Sequence, residues 1–201
     1  MPKLPLFPLD LVLLPGVTIP LHIFEPRYKE MIGECLANRK PFGIVRAQPD
    51  SALAEIGCTA EIVEVVKRYD DGRLDIVATG ARPFEIVEVN QDRSFLQADV
   101  LFLEDEDALV ASERRSYALD LYGQILACAG GQVEADTEAA TLSYQLASLL
   151  PIDLDFKQAL LGIRSEAERL ESLIQFFEAI LPQLQKAARR REKAGGNGHV
   201  P

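Results

Sequence analysis

Cysteine is scarce in this sequence and poorly placed for chemistry: Cys35, Cys58 and Cys128 are odd in number, far apart and never form a CxxC pair. That pattern excludes a disulfide framework or a zinc site and points to buried thiols in a reducing compartment. Histidine is scarcer still, with only His22 and His199. His22 and Glu25 form H-x-x-E, but residues three apart on a strand face opposite ways, so the pair does not converge on a metal. HExxH and its inverted form are absent. Without a second histidine near the first, a catalytic base would have to be a carboxylate of shifted pKa, and no such group can be named.

Uninterrupted apolar runs are missing too. The most leucine-rich stretch, LPLFPLDLVLLPG at 4–16, is broken by Pro5, Pro8 and Pro15 and carries Asp10. A secretory core needs about 7–15 apolar residues before a small-residue cleavage site, and a membrane-spanning helix needs roughly 20. Neither is present, so the stretch reads as short or edge strands and turns of a soluble fold, cytoplasmic by default and without a membrane partner. Basic charge is also short: 21 Lys and Arg stand against 31 Asp and Glu, for a net charge of -10. That balance argues against a broad nucleic-acid surface. The one dense basic run, KAARRREK at 186–193, reads as a solvated helix end, where cations suit the dipole.

What is present divides by period. Up to about residue 103 the pattern is strand-like, interrupted by one helix. VTIPLHIFE alternates and runs into Pro26, a good first helical residue. PRYKEMIGECLANRK then places Tyr28, Met31, Ile32, Cys35 and Leu36 on one face, with Asn38 and Pro41 stopping the helix. CTAEIVEVVKRYDDGRLDIVATG is two alternating runs joined by Asp70-Asp71-Gly72, a hairpin signal. Gly16, Gly57, Gly72 and Gly80 read as turn and bend residues. Several short strands around one helix imply a small, coiled, partly closed β-structure.

From the acidic run at 104–107 onward the period is helical. Leu119, Tyr122, Ile125 and Leu126 mark the stripe of a helix starting near Ala108 and ended by Gly130-Gly131. Asp136 is placed to cap a second helix bearing Leu142, Leu146, Leu149 and Leu150, which Pro151 ends. Asp153 caps a short third helix closed by Gly162, and Ser165 with Glu168 forms a capping box. The last helix carries Leu170, Leu173, Ile174, Phe177, Leu181 and Leu184, with Pro182 expected to kink it. These readings give an α+β chain: a β-rich part at 1–103, a helical bundle at 104–190 and a flexible tail at 191–201.

The same stretches, taken in order, resemble the Lon protease N-terminal (substrate-binding) domain family. LPLFPLDLVLLPG resembles its opening strands, IPLHIFEPRYKEMI the strand entering its first helix, and residues 56–89 its central hairpin. LLPIDLDFKQALLGIRSEAERLESLIQFF resembles its helical bundle. The resemblance implies a PUA-like β pseudobarrel with one or two helices, followed by a C-terminal α-helical bundle. It also implies a module that binds unfolded or extended polypeptide segments and works beside a protease or chaperone. The sequence has no G-x-x-x-x-G-K-[ST] and no serine in a protease-like context. It therefore reads as a stand-alone, non-catalytic member, with no cofactor, no metal and no catalytic residues. Arg27, Tyr28, Arg46 and Arg68 are the candidates for holding an extended segment, with strand addition to an open edge as the physical route. RNA binding, which PUA-like folds also perform, and a small-molecule site in a cleft between the two halves are the alternatives. Oligomeric state is left open.

Overall fold

The computed structural model describes residues 1–48, 52–106, 110–131, 135–136 and 141–195, with side chains as far as 191. The chain divides into two units, one of Met1–Asp105 with Pro151–Arg164 and one of Glu106–Leu150 with Ser165–Pro201.

In the first unit the alternating stretches become strands β1 (Lys3–Leu9), β2 (Thr18–Ile23), β3 (Phe42–Arg46), β4 (Ile56–Arg68), β5 (Leu74–Asn90) and β6 (Gln97–Phe102), with helix α1 (Pro26–Asn38) after β2. Their order is β2-β5-β4-β3-β1-β6, and β6 pairs back onto β5. Five strands thus close a ring with β2 attached outside it, which is the pseudobarrel the resemblance implied. Closure depends on the length of β5. Residues 74–79 of β5 face β2, and residues 84–90 face β6.

The prolines of β1 do not make it an edge strand; it is paired on both sides. Leu6 donates its N–H to the Leu96 carbonyl, so alternation aims the missing N–H of Pro8 toward β6 and that of Pro5 toward β3. Pairing with β6 covers Lys3, Leu4 and Pro5, and pairing with β3 begins only at Leu6. Each proline therefore sits where no ladder bond is required of it.

The ring's core joins Leu4, Leu6, Val45, Ala54, Phe84, Ala98 and Val100. Two of the glycines expected at bends serve this packing instead. A Cβ on Gly57 would lie 2.6 Å from Phe84 Cζ, and one on Gly80 would lie 2.3 Å from the Leu14 carbonyl oxygen. Both are required by close approach within a strand. The hairpin is as expected, with Gly72 at φ 83° closing the turn from Tyr69 to Arg73.

Helix α1 buries Tyr28, Met31, Ile32 and Cys35, and the Tyr28 ring packs 4.1 Å from that of Phe7. Leu36, expected on the same face, is half-buried. Glu30 and Glu34 on the outer face hold Arg93, and Glu30 also accepts from Ser94. That serine bond, with Arg93 beside it, keeps the Glu30 carboxyl below the usual carboxylate range.

Helix α4 (Leu154–Gly162) is the element whose place differs from a simple split at residue 103. Asp153 caps it as expected, accepting from the Phe156 N–H at 2.8 Å. It belongs to the first unit because its polar groups are taken by strands there. Gln158 donates to the Ile56 carbonyl, Asp155 pairs with Arg46, and Gly162 admits the Ile56 side chain. Arg164 just beyond it donates to the Glu104 carbonyl, while the Glu104 carboxylate pairs with Arg82.

The second unit contains α2 (Ser112–Ala129), α3 (Leu142–Leu149) and α5 (Glu166–Gly195). The buried stripe of α2 is Ala118, Leu121, Tyr122 and Ile125, so Leu119 and Leu126 lie beside it rather than in it. The acid in its first turn is Glu113. Asp107 and Ala108, where the sequence placed the helix start, lie outside the described residues. Thr141, not Asp136, holds the N-cap position of α3. Ser165 accepts from the Glu168 N–H ahead of α5, which continues through Pro182 to Gly195. Of the expected tail at 191–201, residues 191–195 are helical and the rest lie outside the described residues. A polar cluster is buried among the apolar side chains of this unit. Glu166 accepts from the backbone and hydroxyl of Ser143 and from Arg169, whose guanidinium lies 4.3 Å from the Tyr144 ring centre. Arg169 is fully buried and Glu166 nearly so, so their ion pair rests on hydrogen bonding rather than on solvation.

Candidate functional site

The two ends of β4 stand in different surroundings. Cys58 and Ala60 pair with β3 on one side and β5 on the other. From residue 61 to 68 the β5 partner continues and the β3 partner stops, because the chain before β3 turns away into α1. Among the described residues, this leaves the outer edge of EIVEVVKR without a ladder partner, and unpaired edges solicit further strands. Glu61, Val63, Glu64, Val66, Lys67 and Arg68 are exposed, Val63 and Val66 by 60% and 58%. Both valines are extra residues in the ladder, which slips between Ile62 and Glu64 and again between Val65 and Lys67. Each bulge turns a valine toward water that strict alternation would have placed otherwise.

Beside the start of this edge lies a groove of about 430 Å³ between the end of α1 and β4. Leu36, Pro41 and Ile62 supply apolar walls, and Arg39, Lys40 and Glu61 supply charge. Arg39 ends α1 at φ 52°, the left-handed conformation usually left to glycine or asparagine. An exposed strand edge with apolar side chains beside a groove can take an extended backbone as an added strand.

The residues nominated from sequence do not form one cluster. Arg68 lies on the open edge. Arg27 is exposed at the start of α1, bonded to Glu25 at 2.9 Å and placed 4.5 Å from the Tyr28 ring centre. Tyr28 is only 6% exposed, and burial raises its phenol pKa. Arg46 is turned to α4, 2.6 Å from Asp155. The groove residues Arg39, Lys40 and Pro41 and the exposed valines were not anticipated. The doubled apolar pairs Ile62-Val63 and Val65-Val66, which break alternation at the two bulges, were the available signal.

Other polar groups are engaged in holding the fold. His22 on β2 faces Asp75 on β5 in register, with Nδ1 2.5 Å from the carboxylate, which also accepts from Tyr69 at 2.8 Å. Those two bonds, the histidine's first, hold Asp75 below the usual carboxylate range. Glu25, the other half of H-x-x-E, is occupied by Arg27. Burial pushes the Cys35 and Cys58 thiols up to about 11 and about 12, which removes thiolate chemistry at neutral pH. Among the described residues no group of three or more His, Cys, Asp or Glu could hold a metal ion, and no helix is long and apolar enough to cross a membrane.

Comparison with known proteins places these features in a family. A family model described as the ATP-dependent protease La (LON) substrate-binding domain matches residues 3–178. Lon protease 1 of Hydrogenovibrio crunogenus is 23% identical over 196 residues, covering 90% of this chain and 24% of that protein. The Lon protease of Brucella suis is 26% identical, with 92% and 24% covered. The chain thus spans about a quarter of the length of the curated relatives it matches. The crystal structure of a Lon N-terminal domain protein from Xanthomonas campestris superposes with a TM-score of 0.71 at 29% identity, covering 87% of this chain and 98% of the other. The N-terminal domain of a Mycobacterium avium complex Lon protease has a TM-score of 0.64 at 19% identity, with 88% and 98% covered, a likeness of fold alone.

Proposed function

We propose, from the premise that this chain belongs to the LON substrate-binding domain family, that it is a non-catalytic module recognising unfolded or extended polypeptide. In this reading an extended segment adds to the outer edge of β4 as a further strand. Its backbone supplies most of the affinity, and its side chains meet Val63, Val66 and the groove at Leu36, Pro41 and Ile62. Arg68 lies along that path, and Arg27, paired with Glu25 at the start of α1, is the other candidate cation at the surface. Such recognition is tolerant of sequence, which suits the capture of damaged proteins for quality control and an adaptor role toward a protease or chaperone.

The observation that carries the reading is the unpaired edge at 61–68 with exposed valines beside a groove. Binding of a permanently unfolded, fluorescently labelled model protein, followed by anisotropy, tests it. The chain as it stands should bind, and Val63→Thr with Val66→Thr should weaken binding several-fold while leaving the fold intact. Failure to bind any unfolded chain, or binding that ignores both valines, would overturn the site. A steep loss of affinity for structured RNA with salt would instead favour a nucleic-acid role.

A further inference from the structure

The open edge of β4 is closed at one end, and the closure carries positive charge. At Ala60 the outer edge passes to β3, which starts at Phe42 and runs antiparallel to β4. A strand added at 61–68 antiparallel to β4 therefore points the same way as β3 and lies in line with it. Its last residue arrives where β3 begins, beside Arg39, Lys40 and Pro41. An internal segment would have to turn out of the sheet there, over residues that already carry α1 into β3. A chain terminus has only to end.

Helix α1 flanks the same path. Lys29 donates to the Asp71 carbonyl at the hairpin tip at 3.0 Å, and Leu36 shares the groove with Glu61 and Ile62. The helix thus runs alongside β4 in the opposite direction. Gly33 lies between Lys29 and Leu36 on the same helical face, and nothing stands within 4 Å of the Cβ it lacks. A glycine in mid-helix weakens the helix, and here it leaves clearance beside the edge.

The charge at the closed end is uncommitted. Glu61 lines the same groove, yet among the described residues neither Arg39 nor Lys40 pairs with a carboxylate. Arg39 is also the only described residue other than glycine at positive φ, 52°. Glycine or asparagine would suit that conformation better, so an arginine is held there against local preference. An α-carboxylate brings the charge these two cations lack, whereas the α-amino group of a strand added the other way round would be repelled.

We propose that this edge takes chain ends: the C-terminal segment of an unfolded polypeptide pairs antiparallel to β4, with its α-carboxylate held by Arg39 and Lys40. The inference rests on the capture of extended chain proposed above and names the part of that chain that is taken.

Anisotropy on the full chain tests it, with an N-terminally labelled peptide that has a Gly-Ser lead and alternating Val and Thr up to a final Val. The free acid should bind about tenfold more tightly than the C-terminal amide. The same advantage should hold over the peptide extended by an amidated Gly-Ser tail and over an amide whose last residue is Asp. Arg39→Gly with Lys40→Gln should weaken the free acid to the level of the amide. Its thermal unfolding midpoint should hold or rise, because glycine relieves the left-handed position. Val63→Thr with Val66→Thr should weaken acid and amide alike. Equal binding of acid and amide by the wild type overturns the proposal while capture through the valines stands. A preference that survives Arg39→Gly with Lys40→Gln overturns it too, as does an Asp-ending amide as tight as the free acid. Absence of binding by every form removes the capture reading and this inference with it.

Discussion

The two ends of β4 belong to one strand and one alternating pattern, yet only one of them is core. Around Cys58 and Ala60, neighbours on both sides and the Phe84 ring leave no room even for a methyl group on Gly57. A few residues later the same strand carries two valines more than half exposed. The difference lies in the number of partners. A strand paired on both edges and covered by a ring closure is held in one register, whereas a strand paired on one edge can bulge and turn apolar side chains outward.

The largest effect that would test this contrast is at the closed end. Phe84→Ala removes the side chain that seals the ring over Gly43 and Gly57 and should cost about 3–5 kcal/mol, read from chemical denaturation. Gly57→Ala should cost about 1–3 kcal/mol through overpacking. Combined, the two changes should cost less than their sum, because the ring that the new methyl group strikes is gone. The remainder comes from the Ile44 carbonyl oxygen, 2.7 Å from that methyl position. Strict additivity would mean that the closure is looser than described.

At the open end the expectation reverses. Val63→Thr with Val66→Thr should leave stability within about 0.5 kcal/mol while reducing capture of unfolded chains, since exposed positions contribute little to folding. A large loss of stability there would show that the edge is core after all.

The smallest effect concerns acid. Asp75 has a folded pKa below its ordinary 3.8, first through His22 and then through Tyr69. Its contribution to holding β2 on β5 is therefore present above the unfolded value and lost as pH falls through the folded one. Amide exchange at the β2–β5 ladder should quicken as pH drops below about 4, after correction for intrinsic rates. Asp75→Asn should remove that acid dependence.

Much of the fold was legible because its signals are local. Pro26 opens α1, Asp70-Asp71-Gly72 turns the hairpin, Asp153 caps α4 and Ser165 precedes α5, each through backbone geometry or a bond to a near neighbour. The candidate site was much less legible. Arg27, Tyr28, Arg46 and Arg68 were chosen for residue type beside strands. Whether such a residue is free depends on partners such as Phe7 for Tyr28 and Asp155 for Arg46, the latter more than a hundred positions away. Gly57 and Gly80 read as bends for the same reason, since the atoms that crowd them, on Phe84 and Leu14, come from other strands or loops.

Sequence alone determined the family, the α+β class and the order of the elements, because side-chain direction and capping repeat every few residues and are written in neighbouring letters. Tertiary structure alone decided that β1 lies inside a closed ring despite two prolines, that α4 belongs with the strands, and that β4 leaves one edge unpaired among the described residues. Those outcomes depend on which backbone groups find partners across tens of residues, and no local pattern records where a neighbouring strand will stop.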